Sequence, residues 1–136
     1  MLKFNHVNLT VRDVPRLADF FHRCFDFTVT ESRGNGRFAV LQGTDGFILI
    51  LMHGKDAAHT SYPPLFHVGF VVADEDTVSA LHQRIKDAGY EPDAPAILQR
   101  GGDPTFGFYH PAPGGIVVEV STPAQHPRSD PKYARG

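Results

Sequence analysis

The sequence predicts an α+β fold in which two βαβββ modules follow one another along a chain of 136 residues. The main observation is an internal repeat. Residues 6–13 reappear as residues 67–74, with the opening His-Val pair, the sixth-position Val and the closing Asp unchanged. Each copy is followed by an apolar pattern with the 3.6-residue period of a helix, and then by three strand-like runs. The repeat therefore predicts the same architecture for both halves.

The first module opens with a strand over residues 4–11, in which apolar and polar residues alternate. Asp13 follows the strand and predicts a helix N-cap, because its side-chain oxygen can accept a hydrogen bond from an N–H group of the first turn. Pro15 suits that turn, where a missing N–H costs nothing. The apolar helix positions are Val14, Leu17, Ala18, Phe21 and Cys24, and the strand-like runs that follow cover residues 27–32, 37–41 and 47–52.

The second module repeats this order. Asp74 predicts the N-cap of a second helix, and Gly89 predicts its end, because glycine readily adopts the left-handed conformation that closes many helices. The apolar positions of this helix are Val78, Leu81, Ile85 and Ala88, and the strand-like runs that follow cover residues 96–99, 105–110 and 116–121.

Both modules are expected to form a single domain over residues 1–122, with half-modules at about residues 1–54 and 65–122. The polar connector 55–64, with its Pro-Pro pair, is too short to separate independent domains. Residues 123–136 contain prolines and charges without periodicity, which predicts an irregular C-terminal tail.

Composition disfavours several classes of partner. Thirteen Lys and Arg against fifteen Asp and Glu give a formal charge of −2 without a basic block, so neither nucleic acid nor a membrane is expected as a partner. The longest apolar run, residues 47–52, is far shorter than the roughly 20 residues of a membrane helix. A single cysteine, Cys24, and the lack of a charged-then-apolar leader predict a reducing, cytoplasmic location.

Three residues suggest a metal centre. His6 and His67 hold the same position in the two repeat strands, and Glu119 lies among valines. A carboxylate that faces into a sheet needs a partner, because burying it alone costs several kcal/mol. If the modules pack about a pseudo-twofold axis, both histidines can converge with Glu119 as a facial triad with open coordination positions. Taken singly, each residue has a simpler explanation, as a core or edge histidine or as a salt-bridged glutamate.

Two stretches resemble the vicinal oxygen chelate superfamily, which includes glyoxalases, bleomycin resistance proteins and extradiol dioxygenases. One is the strand pattern His-x-x-x-x-Val-x-Asp, present at residues 6–13 and again at 67–74. The other is residues 108–119, Phe-Tyr-His-Pro-Ala-Pro-Gly-Gly-Ile-Val-Val-Glu. The resemblance covers the chain to about Thr122.

The resemblance implies a curved mixed sheet around a metal cavity that admits a small-molecule substrate. It implies His6, His67 and Glu119 as ligands of a divalent metal ion, which could be Fe²⁺, Mn²⁺, Zn²⁺ or Ni²⁺. It also implies a homodimer.

Departures from the family pattern disfavour some of the reactions that the family catalyses. Glyoxalase I takes a fourth ligand from the last strand of the first module, where Leu49 lies nearest the expected place, so Leu49 or Leu51 is expected to face the site without ligating. Extradiol dioxygenases carry a catalytic histidine upstream of the glutamate ligand, and residues 99–105 contain none. Fosfomycin-type thiol transferases place threonine at the position of Asn8, and bleomycin-binding members lack the metal ligands.

A metal-dependent enzyme that chelates two adjacent substrate oxygens is therefore expected. A dioxygenase-like member is favoured, because three protein ligands leave positions for two substrate oxygens and a third small molecule such as O₂. A glyoxalase-like lyase or isomerase and a thiol transferase remain open as alternatives. So does a non-catalytic resistance protein that sequesters a small molecule such as a drug.

Two further residues are catalytic candidates. Tyr109 could donate a hydrogen bond to a substrate oxygen, although a strand tyrosine is often a packing residue. Asn8, on the same strand face as His6, could orient the substrate or satisfy a neighbouring polar group. Lower-ranked candidates are His53 and His110, which could act as acid or base at neutral pH, and Arg37 and Arg100, which could hold an anionic substrate by bidentate contact. A solvated position is expected for all four.

Overall fold

The structure, a computed structural model, describes residues 1–54 and 61–125. The chain divides into two compact units, which are Met1–Pro64 with Ala112–Ile116 and Leu65–Pro111 with Val117–Gly136. Most of the predicted connector and of the predicted tail lie outside the described residues, so the expectations for those two segments stay predictions.

The first unit contains one helix and a four-stranded mixed sheet. Its elements are β1 His6–Thr10, α1 Val14–Phe25, β2 Thr28–Arg33, β3 Phe38–Gln42 and β4 Ile48–Met52. The strand order is β1-β4-β3-β2, with β1 parallel to β4 and the other pairs antiparallel. Parallel neighbours need a crossover connection, and α1 with the β2–β3 hairpin supplies it.

Helix α1 forms where the N-cap pattern predicts it. The Asp13 side chain accepts a hydrogen bond from the backbone N–H of Arg16 at 3.1 Å, and Pro15 lies in the first turn. The helix ends at Phe25, where Asp26 adopts a left-handed φ of 59° and its N–H donates to a carbonyl of the last turns. The local sequence therefore specifies both ends of the helix.

The apolar face of α1 packs against the sheet and forms the core of the first unit. Leu17 and Phe20 of the helix are fully buried, as are Leu41 and Leu51 of the sheet. The rings of four phenylalanines in and after the helix pack with centroids 5.3–6.1 Å apart, namely Phe20, Phe21, Phe25 and Phe27. Because strand side chains alternate, the residues between the buried ones point away from the helix. This first open face carries His6, Asn8, Thr10, Ile48, Ile50 and Met52.

The second unit repeats the architecture. Its elements are β5 His67–Val71, α2 Glu75–Asp87, β6 Ala96–Leu98, β7 Thr105–Ala112 and β8 Ile116–Pro123. The strand order is β5-β8-β7-β6, with β5 parallel to β8 and β6 antiparallel to β7. The predicted α+β fold of two tandem βαβββ modules is confirmed, and its eight strands form two four-stranded mixed sheets.

Helix α2 also follows its predicted cap. The Asp74 carboxylate accepts from the backbone N–H of Thr77 at 2.8 Å and from its hydroxyl at 2.6 Å. These hydrogen bonds favour the charged form and lower the pKa of Asp74. At the other end, Gly89 takes a left-handed φ of 96° just after the Ala88 cap. No helix in the two described ranges is long and apolar enough to cross a membrane.

The core of the second unit lies between α2 and one face of its sheet. Val78 and Ile85 of the helix are fully buried, and the His82 ring meets the ring of Phe108 edge-on at 5.2 Å. Val118 and Val120 of β8 are fully buried, so the residue between them points to the other side of the sheet. This second open face carries His67, Gly69, Tyr109 and Glu119.

His110 is buried, so the solvated position expected from the sequence is wrong. The residue is 2% exposed and its ring contacts the Tyr90 ring edge-on at 5.5 Å. The strand was expected to end at His110, whereas β7 continues to Ala112 and keeps His110 on the core face beside Phe108. Burial lowers the pKa of His110 below its ordinary value of 6.5, and the carboxylate of Asp93 offsets part of that effect.

The buried His110 makes stability depend on pH. Because its folded-state pKa is lowered, the unfolded chain binds the proton more readily, so the contribution of His110 to the free energy of unfolding is present above about pH 6.5 and is lost as the pH falls below it. Urea unfolding at about pH 7.5 and about pH 5.5 is expected to show a smaller acid-induced loss in His110→Gln than in the wild type. Equal losses in the two proteins would contradict the assignment.

Candidate functional site

Two strand neighbours bring His67 and Glu119 together on the second open face. The parallel pairing of β5 with β8 places Gly69 opposite Glu119 and His67 opposite Val117. Gly69 has no side chain, so the Glu119 side chain can lean along the strand towards His67. The His67 Nε2 and Glu119 Oε2 atoms are 3.3 Å apart. Two of the three metal ligands predicted from the sequence are therefore in contact.

Glu119 has the partners that a carboxylate in a sheet requires. Its side chain is only 15% exposed, and its Oε1 atom accepts a hydrogen bond from Arg100 Nη2 at 3.0 Å. His67 lies against the other carboxylate oxygen. Arg100 thus compensates the desolvated charge on the Oε1 side.

The contacts of His67 indicate which of its two ring nitrogens faces the carboxylate. The Nδ1 atom lies 2.9 Å from the carbonyl oxygen of Leu65, and since a carbonyl only accepts, Nδ1 carries the hydrogen. Nε2 then faces Glu119 Oε2 with its lone pair unless a second proton is bound, and two acceptors at 3.3 Å repel one another. Either a proton or a metal ion resolves the conflict. Two ligands that each lie about 2.1 Å from one ion stand about 3.0–3.4 Å apart, which fits this pair.

Arg100 and Tyr109 complete the group on the second open face. The Arg100 guanidinium carbon lies 4.9 Å from the centre of the Tyr109 ring, and the His67 ring meets Tyr109 edge-on at 5.9 Å. The side chain of Arg100 is 49% exposed, as the sequence suggested, yet it is engaged at the site. Arg100 ranked low as a site residue because an exposed arginine is usually a surface residue, and its contact with Glu119 had no local signal in the sequence.

His6 and Asn8 are two residues apart on β1, so both lie on the first open face, and both are exposed. The Nδ1 atom of His6 is 2.8 Å from Asn5 Oδ1, so its Nε2 atom is left for another partner, as in His67. The Asn8 amide donates to the sulfur of Met52 at 3.3 Å. Over residues 1–54 and 61–125, no group of three His, Cys, Asp or Glu side chains is placed to hold a metal ion. Convergence of all three predicted ligands therefore stays a prediction.

The strand register corrects the expectation for the fourth-ligand position. Asn8 pairs with Ile50 in the first sheet as Gly69 pairs with Glu119 in the second, so Ile50 is the counterpart of Glu119. The expectation that Leu49 or Leu51 faces the site is wrong, because both are buried on the helix side of the sheet, at 4% and 0% exposure. The position is nonetheless apolar and offers no ligand atom.

The remaining candidates lie in the first unit. Arg37 Nη2 donates to the Nδ1 atom of His53 at 3.1 Å, next to a backbone hydrogen bond between the same two residues. Arg37 is exposed, which agrees with the solvated position expected for it.

The family model described as the Glyoxalase/Bleomycin resistance protein/Dioxygenase superfamily matches residues 3–120, nearly the whole described chain. The chain belongs to this superfamily. The resemblance noted from the repeat strands and the terminal glutamate is thereby confirmed.

Solved structures share the fold of this superfamily member. A possible glyoxalase from Bacillus cereus is 38% identical, with a TM-score of 0.74 over 88% of this chain and 98% of that one. A glyoxylase/bleomycin resistance protein/dioxygenase domain from Frankia sp. EAN1pec is 18% identical, with a TM-score of 0.76 over 93% and 95%. A lactoylglutathione lyase from Agrobacterium tumefaciens is 15% identical, with a TM-score of 0.69 over 90% and 94%. No curated protein matches the chain.

Proposed function

We propose that this superfamily member is a metal-dependent enzyme that chelates two adjacent oxygens of a small molecule, with chemistry closest to that of the dioxygenases. The observation that carries the proposal is the approach of His67 Nε2 to Glu119 Oε2 at 3.3 Å, with the other His67 nitrogen held by a backbone carbonyl. That arrangement is typical of a histidine whose outer nitrogen is fixed so that the inner one can coordinate.

Three side chains would hold the ion, namely His67 and Glu119 on the second open face and His6 on the first. A bound divalent ion would act as a Lewis acid on the substrate oxygens, and Fe²⁺, Mn²⁺, Zn²⁺ and Ni²⁺ all accept such ligands. Asn8 lies on the strand face of His6 and would orient the substrate through its amide.

The apolar residue at the fourth-ligand position separates this protein from glyoxalase-like isomerases. Ile50 lies where the strand register gives the counterpart of Glu119, and its side chain has no donor atom. Three protein ligands leave one more position for small molecules than four do, which supports the dioxygenase-like reaction over a glyoxalase-like lyase or isomerase. Asn8, at the position where fosfomycin-type transferases place threonine, disfavours a thiol transferase.

A second candidate function is binding of a small molecule without catalysis. It is favoured by one observation: Arg100 already provides Glu119 with a positive partner at 3.0 Å, so the carboxylate is stable without a metal ion. Tight ligand binding by metal-free protein, without turnover, would support this alternative.

Metal titration tests the proposal directly. Protein freed of metal with a chelator is titrated calorimetrically with Fe²⁺ under argon and with Mn²⁺, Zn²⁺ and Ni²⁺, and the bound metal is then counted after gel filtration. One equivalent per chain is the expected result for at least one ion. Failure of all four ions to bind would overturn the proposal and leave the binding function.

The assembly and the compartment are part of the same proposal. A homodimer is proposed, which a sedimentation measurement checks. A reducing, cytoplasmic location suits a chain whose single cysteine, Cys24, is a buried thiol.

Tyr109 is proposed to donate its hydroxyl hydrogen to a substrate oxygen that gains negative charge. Its ring is already packed against His67 and Arg100, so Tyr109→Phe keeps the packing and removes only the hydroxyl. Once a substrate is known, the variant is expected to retain metal and substrate affinity and to lose about 10²-fold in kcat. Steady-state kinetics with metal content measured in parallel checks this, and an unchanged kcat would make Tyr109 a packing residue only.

A further inference from the structure

Most N–H donors of Arg100 meet no protein acceptor within residues 1–54 and 61–125. A guanidinium has five N–H donors in a planar fork. Within the part of the chain that the structure describes, the one acceptor that Arg100 contacts is Glu119 Oε1, reached from Nη2 at 3.0 Å. About half of the Arg100 side chain is exposed beside the second open face. The remaining donors can therefore bind a ligand there.

The segment that carries Arg100 is held in a defined conformation. Gly101 and Gly102 adopt left-handed φ angles of 74° and 96°, which L side chains rarely take. The Gln99 amide donates to the Gly102 carbonyl across this turn at 2.9 Å. The Arg100 guanidinium also lies over the Tyr109 ring, which restricts its position. A donor that is already oriented loses little entropy when a ligand binds.

The charges around the site favour an anionic ligand. The carboxylate of Glu119 and the guanidinium of Arg100 cancel one another. A divalent ion held by His67 and Glu119 would therefore add two positive charges that no described contact of this group neutralises. A substrate with an acid group beside its chelating oxygens would supply the missing negative charge, and a planar oxyanion matches the geometry of an arginine fork.

We propose that Arg100 binds an oxyanion of the substrate, most simply a carboxylate, next to the two chelating oxygens. The substrate class is then small acids that carry a vicinal pair of oxygens. The chelating pair rests on the proposed function, whereas the anion-binding role of Arg100 rests only on the contacts of Arg100 itself.

The test compares two probes that differ only in charge away from the chelating end. Hydroxysuccinate (malate) and its 4-amide share the hydroxyl and the C1 carboxylate, but the amide lacks the second negative charge. Both are titrated into ¹⁵N-labelled protein, metal-free and loaded with diamagnetic Zn²⁺, and the side-chain Nε–H signal of Arg100 reports contact. Malate is expected to bind at least about tenfold more tightly than the amide, as a charged hydrogen-bonded pair requires.

Three variants assign that preference. Arg100→Gln is expected to abolish the preference for malate, and Arg100→Lys to retain only part of it, because the charge remains but the fork is lost. Arg16→Gln removes an exposed arginine of α1 in the first unit and is expected to change nothing. The ¹⁵N spectrum of each variant shows whether it is folded.

The outcomes separate this proposal from the proposed function. Equal affinity for the two probes in wild-type protein would overturn the role of Arg100, and so would a preference that survives in Arg100→Gln. If the protein takes up no Zn²⁺ or other divalent ion, the metal-dependent function fails. A preference for malate in metal-free protein that disappears in Arg100→Gln would still support Arg100 as the anion-binding residue.

Discussion

Glu119→Gln is expected to lower the affinity of the chain for a divalent metal ion by at least about 100-fold. Glu119 is the only anionic member of the proposed ligand set, and loss of even an outer partner of a metal ligand commonly costs 10- to 100-fold. Glutamine has nearly the same shape, and the Arg100 that loses its partner is half exposed, so the free energy of unfolding should change by no more than about 1 kcal/mol. Calorimetric metal titration and urea unfolding measure the two quantities.

Glu91→Gln provides the matched control for this substitution. Glu91 is exposed and lies outside the strands and helices, so the same loss of charge should leave metal affinity unchanged. Equal metal affinity in wild type and Glu119→Gln, with both proteins folded, would remove Glu119 from the ligand set. A parallel loss in Glu91→Gln would mean that net charge, rather than coordination, governs the binding.

Gly107→Ala is expected to lower the free energy of unfolding by about 2–3 kcal/mol, the upper part of the range for overpacking a well-packed interior. Gly107 lies in β7, and a Cβ atom added there would press against the carbonyl oxygen of Val120 and stand 2.8 Å from the Cβ and 2.9 Å from the Cα of Ser121. These are backbone and near-backbone atoms of the neighbouring strand, which cannot move aside without disturbing the pairing of β7 with β8.

Gly69→Ala tests the same change where there is room. Its added Cβ would have its nearest neighbours in Glu119 at 3.8 Å, an ordinary van der Waals distance, and Gly69 does not adopt a positive φ. The expected destabilisation is below about 1 kcal/mol, because alanine also restricts the unfolded chain. Urea unfolding of both variants measures the two free energies of unfolding. Similar decreases in the two variants would show that the neighbouring strand moves to accommodate a side chain at position 107.

Local features of the fold were predictable because short stretches of sequence specify them. Asp13 and Asp74 cap their helices through hydrogen bonds to the backbone three residues on. The helical periodicity placed Leu17 and Ile85 in the cores of their units, where both are fully buried. The repeat of the His-Val strand predicted the same βαβββ order of elements in both halves, and both halves have it.

The sequence did not predict which face of each strand is buried. The alternation in β4 allowed either of two faces, and the burial of Leu51 against α1 decided that Ile50 lies on the open face. His110 looked like the end of a strand, and only the continuation of β7 placed it in the core. A one-residue difference in register exchanges the buried and the open positions of a strand, and the length of a strand decides whether a residue near its end is covered. The sequence near the strand fixes neither.

The sequence by itself determined the tandem βαβββ architecture and the family, because periodicity, helix caps and the repeat are local features. It also named His67 and Glu119 as members of one site, but the pairing of β5 with β8 is what brings them to 3.3 Å. Tertiary structure decided that Arg100 meets Glu119 at 3.0 Å and that Gly107 must remain without a side chain. Both depend on where separate strands and turns come together in space. Arg100 is nineteen residues from its carboxylate partner, and no local pattern encodes a contact over that separation.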